Sequence, residues 1–517
     1  MKKRRNTIVN GIMALLFSQI LIKIIGLTYK LYLTNKEGFG DNGNAIYSSG
    51  FQIYALLLTF SSTGVPNAIA KLVSERLAVG DSKGAHRIFK ISFFTFALLG
   101  LMGTILLFLS ANFIATKWLE IPEAEYSLIT LSPSIFFVSI TAVIRGYFNG
   151  RQNLSATAKS QTIEQIFKTL FTIILVEIVS KLSKNNTQLM SGVANLATTI
   201  ATFFSFTYIY IYYITKRNEI GQEIYQSVNY VPTRIRKTLK KILKESIPIS
   251  LSSLISSFNK NIDLFTVVKI LRVFMSEEQA KVQYGILSGK IDVLCLLPLS
   301  LNIPFVTAIV PTISKSIAIG NKEEAIKKIS LFLQMTLLIA LPSTAGLIIF
   351  ANPILKLLFP NASKGAVLLQ INSISIIFTM LAQTINAVLQ SIGKNSVPLI
   401  AFSFGMILKF FTNIILIRNP KIGINGAAIG NIVCNFVVVI IGFIILVKSI
   451  KLKIHINEFI LKPIFATIIM SGVAISVFFL LKSIILEKMA TILSILTATS
   501  IYGIFTIICN PLKKAKN

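Results

Sequence analysis

The residues of this chain that could do chemistry are charges placed where charges are costly. Between Leu131 and Lys168 the sequence runs LSPSIFFVSITAVIRGYFNGRQNLSATAKSQTIEQIFK. It leaves an apolar helix at Arg145-Gly146 and turns through Gly150-Arg151-Gln152-Asn153. It then re-enters an apolar run bearing Gln161, Glu164, Gln165 and Lys168. Residues three, four and seven apart share one side of a helix, so these four form a polar stripe that must face protein or water. The stripe reads as one wall of a polar cavity inside a membrane protein. Other charges embedded in apolar stretches are Lys23, Lys30, Glu177, Lys260, Asp263, Lys290, Asp292 and Lys409. A charge in a spanning helix costs at least roughly 2.5–3.5 kcal/mol, so each needs a cavity, a partner or an escape to the interface.

More than one arrangement is open for them. Glu164–Lys168 at i, i+4 and Lys260–Asp263 at i, i+3 can be intrahelical ion pairs or cavity-lining groups. Lys290 and Asp292, two apart, point to different surroundings. Lys30 and Glu177 lie near span ends, where they can snorkel. Lys23 and Lys409 have no acid within one turn, so their partners come from another helix or from a ligand. These two are the principal candidates for binding substrate. Lys168, Glu164, Lys260, Asp263, Lys290 and Arg145 complete the set around a central cavity. Six lysines stand against four acids, with Arg145 and Arg151 at the cytoplasmic rim. Surplus positive charge selects anions, foremost phosphate or pyrophosphate.

The elements that must position these residues follow from composition. The 517 residues are 53% hydrophobic and 14% charged, with a mean hydropathy of +0.73. Soluble domains average roughly 25% charged, so the chain is an all-α polytopic membrane protein. A span needs about 20 apolar residues, which gives about fourteen candidates. They lie near 8–33, 47–73, 88–111, 128–149, 158–180, 188–215, 246–270, 284–313, 328–350, 366–391, 397–418, 424–448, 459–481 and 489–510. The net charge of +31 sits mostly in short loops between spans, such as Lys216-Arg217 and Arg234–Lys244. That is the pattern of cytoplasmic loops in a plasma-membrane protein with both termini inside, and it argues against nucleic acid as a partner. Met1–Arg5 heads an uncleaved first span.

The chain also repeats itself. At an offset of 240, AIAKLVSERLAVGDSKGA (68–85) lies over AIVPTISKSIAIGNKEEA (308–325). The expected organisation is an N-terminal six-helix lobe (1–219), a basic cytoplasmic linker (220–245) and a C-terminal six-helix lobe (246–450). Two further helices follow, 13 and 14 (451–517). Parallel repeats of this kind mark transporters with a site between the halves. The same offset puts Lys23 over Asp263, so a salt bridge between lobes is an alternative for that pair.

Catalysis has little to stand on. Cys295, Cys434 and Cys509 lie apart in apolar runs and read as core residues. His86 and His455 lie in or beside basic loops, and Trp118 reads as an interfacial anchor. No phosphate-cradling loop or nucleophile–base set is present. The chain is therefore read as a non-enzyme without metal or cofactor, and Na⁺ or H⁺ is the candidate coupling ion.

The stretch 131–165, with TGVPNAIAKLVSE (63–75) and YGILSGKIDVLCLLPLSLNIPFVTAIVPTIS (284–314), resembles the stage V sporulation protein B family. That family belongs to the polysaccharide-export group, which includes lipid II flippases, within the multidrug/oligosaccharidyl-lipid/polysaccharide exporter superfamily. The resemblance implies two pseudo-symmetric lobes around a cavity, a lipid-tail groove at helices 13 and 14, and alternating access. The implied cargo is an undecaprenyl-pyrophosphate-linked glycan of lipid II type, for peptidoglycan and spore-cortex synthesis. The implied partners are membrane lipid and cell-wall synthesis enzymes, and the chain is expected to be a monomer. In such relatives basic residues of span 1 face the diphosphate. Lys23 matches the first of them, while Tyr29 takes the place of the second and Lys30 follows it. The charged second span of those relatives is missing here, since Tyr54–Thr63 carries no charge. A multidrug/cation antiporter with Glu164 or Asp263 titrating, and a polytopic glycan polymerase or ligase, are the alternatives.

Overall fold

A computed structural model describes residues 18, 21–59, 65–151, 153–227, 230, 235–318, 321–394, 396–450 and 461–509. Every regular element among the described residues is helical, as long apolar runs in lipid require, because an isolated strand would leave backbone groups unpaired there. The chain divides into two compact units, Met1–Phe265 and Thr266–Asn517.

The first unit contains α1 (21–35), α2 (Gly40–Thr59), α3 (Val65–Ala78), α4 (Ser82–Phe113), α5 (Ala124–Gly150), α6 (Leu154–Leu182), α7 (Thr187–Thr215) and the short α8 (Arg217–Tyr225). The helix α9 (Ile235–Leu271) contains the boundary between the units. The second unit continues with α10 (Glu277–Ile286), α11 (Asp292–Ala318), α12 (Lys322–Ile349), α13 (Ala351–Leu358) and α14 (Ala366–Ser391). It ends with α15 (Ser396–Ile417), α16 (Asn425–Ile450), α17 (Lys462–Lys482) and α18 (Glu487–Cys509).

Nine helices among the described residues are long and apolar enough to cross a membrane. Five of the stretches expected from sequence are not among them, and the reasons are local. Of the first stretch, 8–33, residues 8–17, 19 and 20 lie outside the described set. The 47–73 stretch contains residues 60–64, outside the described set, between the ends of α2 and α3. The 158–180 stretch, within α6, carries Lys159, Glu164, Lys168 and Glu177, with Lys181 just beyond, too much charge for a simple span. The 246–270 stretch is the far part of the 37-residue α9, whose first turns are strongly basic. The 489–510 stretch reaches to the edge of the described residues. Much of the segment expected as a linker loop is helical, in α8 and the start of α9.

The repeat is visible in how helices start. Asp81 caps α4 by accepting from the Gly84 N–H, and Asn321 caps α12 by accepting from the Glu324 N–H. Each satisfies a backbone donor that the first helical turn leaves unpaired. Gly80, at φ +78°, supplies the left-handed residue that the α3–α4 turn needs. Outward faces are apolar: Phe94, Leu98, Leu106 and Leu109 of α4 are all more than half exposed within the protein. That is the surface a bilayer covers. Inward faces close into apolar clusters, among them one around Ile69, Phe89 and Tyr147 in the first unit and one around Ile313, Ile385 and Leu446 in the second.

Candidate substrate-binding site

The polar interior of the first unit is built on α5, α6 and α7. Close approach of α5 to α3 is set by Gly146 and Gly150, where a Cβ would lie 2.8 Å from the Pro66 carbonyl oxygen and 2.7 Å from that of Ala70. This presents Arg145 to α6 and α7. Its Nη2 donates to Glu164 Oε2 at 2.8 Å, Ser160 Oγ at 2.9 Å and Ser205 Oγ at 2.8 Å, and Nε adds a 3.2 Å bond to Ser160. The Arg145 side chain is only 13% exposed. Arg145 therefore faces α6 and α7 as a mostly buried partner. Glu164 also pairs with it rather than with Lys168 along the helix. A guanidinium fork satisfies a carboxylate and two hydroxyls at once, which a flexible ammonium four residues away does not match.

One turn further along α6, Lys168 is buried and seated on aromatic rings. Its Nζ lies 4.0 Å from the Phe51 ring centroid and 5.2 Å from that of Tyr29. Lys30 of α1 is equally buried, with Nζ 4.2 Å from the Tyr47 centroid. Tyr47 and Phe51 stack at 5.8 Å, and the Tyr29 and Tyr47 hydroxyls meet at 3.4 Å. The two ammonium groups thus lie over neighbouring rings of one aromatic patch. Neither forms a hydrogen bond or ion pair with a described residue. Lys30 was expected to snorkel; it turns inward instead. Glu177, at the other end of α6, is held by Lys36 at 2.6 Å and by the Tyr32 hydroxyl at 2.9 Å. These rings lie outside the set chosen from sequence, although the i, i+4, i+7 spacing of Tyr47, Phe51 and Tyr54 places them on one face of α2. Lys23 is exposed, at the start of the described part of α1.

The second unit holds its lysines differently. Lys409 of α15 is fully buried, and its Nζ donates to Asn431 Oδ1 at 2.7 Å. Asn431 in turn donates to Asn372 Oδ1 at 3.2 Å, and Asn413 donates to Thr266 Oγ1 at 3.0 Å. The chain of amides ties α9, α14, α15 and α16 together. Lys290, expected in the cavity lining, lies in a π-helical turn (Leu287–Ile291) and is fully buried. Its Nζ donates to the carbonyls of Ala362 at 2.6 Å and Lys364 at 3.0 Å, pinning the loop before α14. Asp263 is buried; the side chain of Lys260 lies outside the described residues, as does His455. Cys295 and Cys434 are buried, in keeping with core residues.

A separate apolar groove of about 400 Å³ opens between α12, α17 and α18. Leu338, Pro342, Phe350, Met470, Ala498 and Tyr502 line it, and the Tyr502 hydroxyl is taken up by the Leu338 carbonyl at 2.8 Å.

With this geometry in view, the chain can be set beside known proteins. It is similar to the lipid II flippase MurJ of Bacillus subtilis (strain 168), 24% identical over 428 residues that cover 80% of this chain and 77% of the relative. It is also similar to stage V sporulation protein B of the same organism, 24% identical over 473 residues, covering 90% and 88%. Among solved structures, "Lipid II flippase MurJ, inward closed conformation" superposes with a TM-score of 0.72 at 19% identity, covering 97% of this chain and 98% of that one. That likeness shows the fold, a two-unit multi-pass membrane architecture. The MatE family matches residues 290–415. The family described as polysaccharide biosynthesis protein matches residues 8–317, more than half of the chain, and the chain belongs to that family.

Proposed function

We propose that this protein is a flippase for a prenyl-pyrophosphate-linked glycan of lipid II type, working by alternating access across the plasma membrane with both termini cytoplasmic. The observation that carries this reading is the buried pair Lys30 and Lys168. Two cations in a low-dielectric interior, without a carboxylate bonded to either, call for an anion. The aromatic faces hold the ammonium groups by their quadrupoles while leaving the N–H donors for a ligand. Glu164, the acid nearest in sequence to Lys168, is already bonded to Arg145 and does not supply the charge.

A pyrophosphate offers two negative charges to such a pair, and Lys23 adds a third cation on the same helix as Lys30. The aromatic patch suits a sugar ring, which stacks its apolar face on tyrosine or phenylalanine. The apolar groove at α17 and α18 suits the prenyl chain. The names of the similar proteins, a lipid II flippase and a sporulation protein, point to the same cargo class. Lys409, grouped with Lys23 on sequence grounds, is assigned instead to holding α15 on α16 through Asn431. A cation antiporter working through Glu164 would have to release that carboxylate from Arg145; Asp263, the other carboxylate such a reading uses, is buried.

The test is transport by the full chain reconstituted in liposomes. Labelled lipid II in one leaflet should become accessible from the other, faster than in protein-free liposomes. Absence of movement for lipid II and every other prenyl-linked glycan tried, with efflux of a cationic dye instead, would overturn the reading.

A further inference from the structure

At one end of the first unit lies a pocket of about 410 Å³. The α3–α4 corner, Tyr230 and the first turns of α9 enclose it. Its floor is apolar, from Leu72 and Ile88, and its walls carry Arg76, Arg87, Lys237, Lys240 and Lys241.

Each wall is fixed by a separate contact. Asp81, fully buried, caps α4 through Gly84 at 2.7 Å and accepts from Arg76 Nη1 at 2.8 Å. Arg87, further along α4, donates to the Tyr230 hydroxyl at 2.8 Å, and that ring lies 4.7 Å from Lys83 Nζ. On the third side Ile242, 1% exposed, joins the buried cluster that holds Leu72 and Ile88. This locks the start of α9 so that Lys237, Lys240 and Lys241 share one face.

Arg76 is matched by Asp81, and Lys241 by Glu75 at 3.0 Å. No carboxylate among the described residues pairs with Arg87, Lys237 or Lys240, and both of these lysines are exposed. The repeat supplies a comparison. At the corner 240 residues on, Ser316, Glu323 and Glu324 stand where this one has Arg76, Lys83 and Gly84, while Arg87 is matched by Lys327. There Glu324 pairs with Lys328 at 2.6 Å.

We propose that this pocket binds the phosphate of an anionic phospholipid of the surrounding leaflet. The site is separate from the transport reading and does not depend on it. The lipid source follows from α4. Arg87, Phe94, Leu98, Leu101 and Ile105 recur at helical spacing on one face, and the four apolar members are exposed. A phosphate held by Arg87, Lys237 and Lys240 leaves its acyl chains lying down that stripe. A soluble phosphate would gain nothing from it.

The experiment uses the purified full chain in a zwitterionic detergent, titrated with phosphatidylglycerol or phosphatidylcholine and read by native mass spectrometry. The wild type should retain one phosphatidylglycerol in preference to phosphatidylcholine. Lys237→Gln combined with Lys240→Gln should weaken that binding tenfold or more, while the lipid-free melting temperature stays unchanged because both side chains are exposed and bonded to nothing described. Excess inorganic pyrophosphate should leave the lipid in place. Equal retention of phosphatidylglycerol by both proteins, no preference over phosphatidylcholine, or displacement by pyrophosphate would each overturn the proposal.

Discussion

Lys168 in the first unit and Lys409 in the second lie on α6 and α15, helices that overlap at the 240-residue offset although Lys168 itself falls on Leu408, and both are buried. The first rests on the rings of Phe51 and Tyr29; the second gives a hydrogen bond to the Asn431 amide. A lysine over rings keeps its directional donors for something else, whereas a lysine on an amide oxygen has committed one to holding helices together. On the proposed reading the first lysine is left to bind a ligand and the second holds helices together. The α3–α4 corner differs between the units too, Arg76 and Lys83 of the first being replaced by Ser316 and Glu323 in the second.

The comparison can be broken most severely at Arg145. Arg145→Met strips Glu164, Ser160 and Ser205 of a common donor, and a charged group left unpaired costs about 1–3 kcal/mol or more. The melting temperature should fall sharply and transport should be lost. Combining it with Glu164→Met should recover much of the stability, since removing both partners avoids the unpaired charge. Second in size is Lys168→Met. Methionine fills the same seat and keeps favourable contacts with the rings, so the melting temperature should hold. Flipping of labelled lipid II should slow by about tenfold to a hundredfold, the equivalent of one charge-assisted bond of about 1.5–3 kcal/mol. Lys409→Met reverses the pattern: about 1–3 kcal/mol of stability is lost as Asn431 Oδ1 loses its donor, and transport per folded molecule stays near that of the wild type. The smallest effect belongs to Thr169→Val, which removes a 3.3 Å bond to the Ile25 carbonyl between α6 and α1. Thermal denaturation should show about 0.5 kcal/mol of destabilisation, the low end for a single hydrogen bond.

The fold was largely legible because lipid imposes a length on apolar helices and because the 240-residue repeat survives in the turns capped by Asp81 and Asn321. What hydropathy missed was extension. It adds residues without regard to backbone, so it stopped α9 at its charges although a helix can continue past the bilayer. The site was legible in kind but not in pairing. The i, i+4 rule sees Glu164 and Lys168 as neighbours; it cannot see Arg145 arriving from another helix with a better fork. The ring seats of Lys30 and Lys168 depend on α1, α2 and α6 converging, which no local spacing encodes. Lys290 shows the converse, a buried charge whose partners are the loop carbonyls of Ala362 and Lys364.

The central claim is that the lysines of the first unit hold the anionic part of a lipid-linked glycan. Equilibrium titration of the purified full chain with labelled lipid II, wild type beside Lys168→Met and Lys409→Met, tests it most directly. The account predicts affinity at least tenfold weaker for Lys168→Met and unchanged for Lys409→Met at a temperature where both are folded. Equal affinity for the wild type and Lys168→Met, or a loss confined to Lys409→Met, would contradict it.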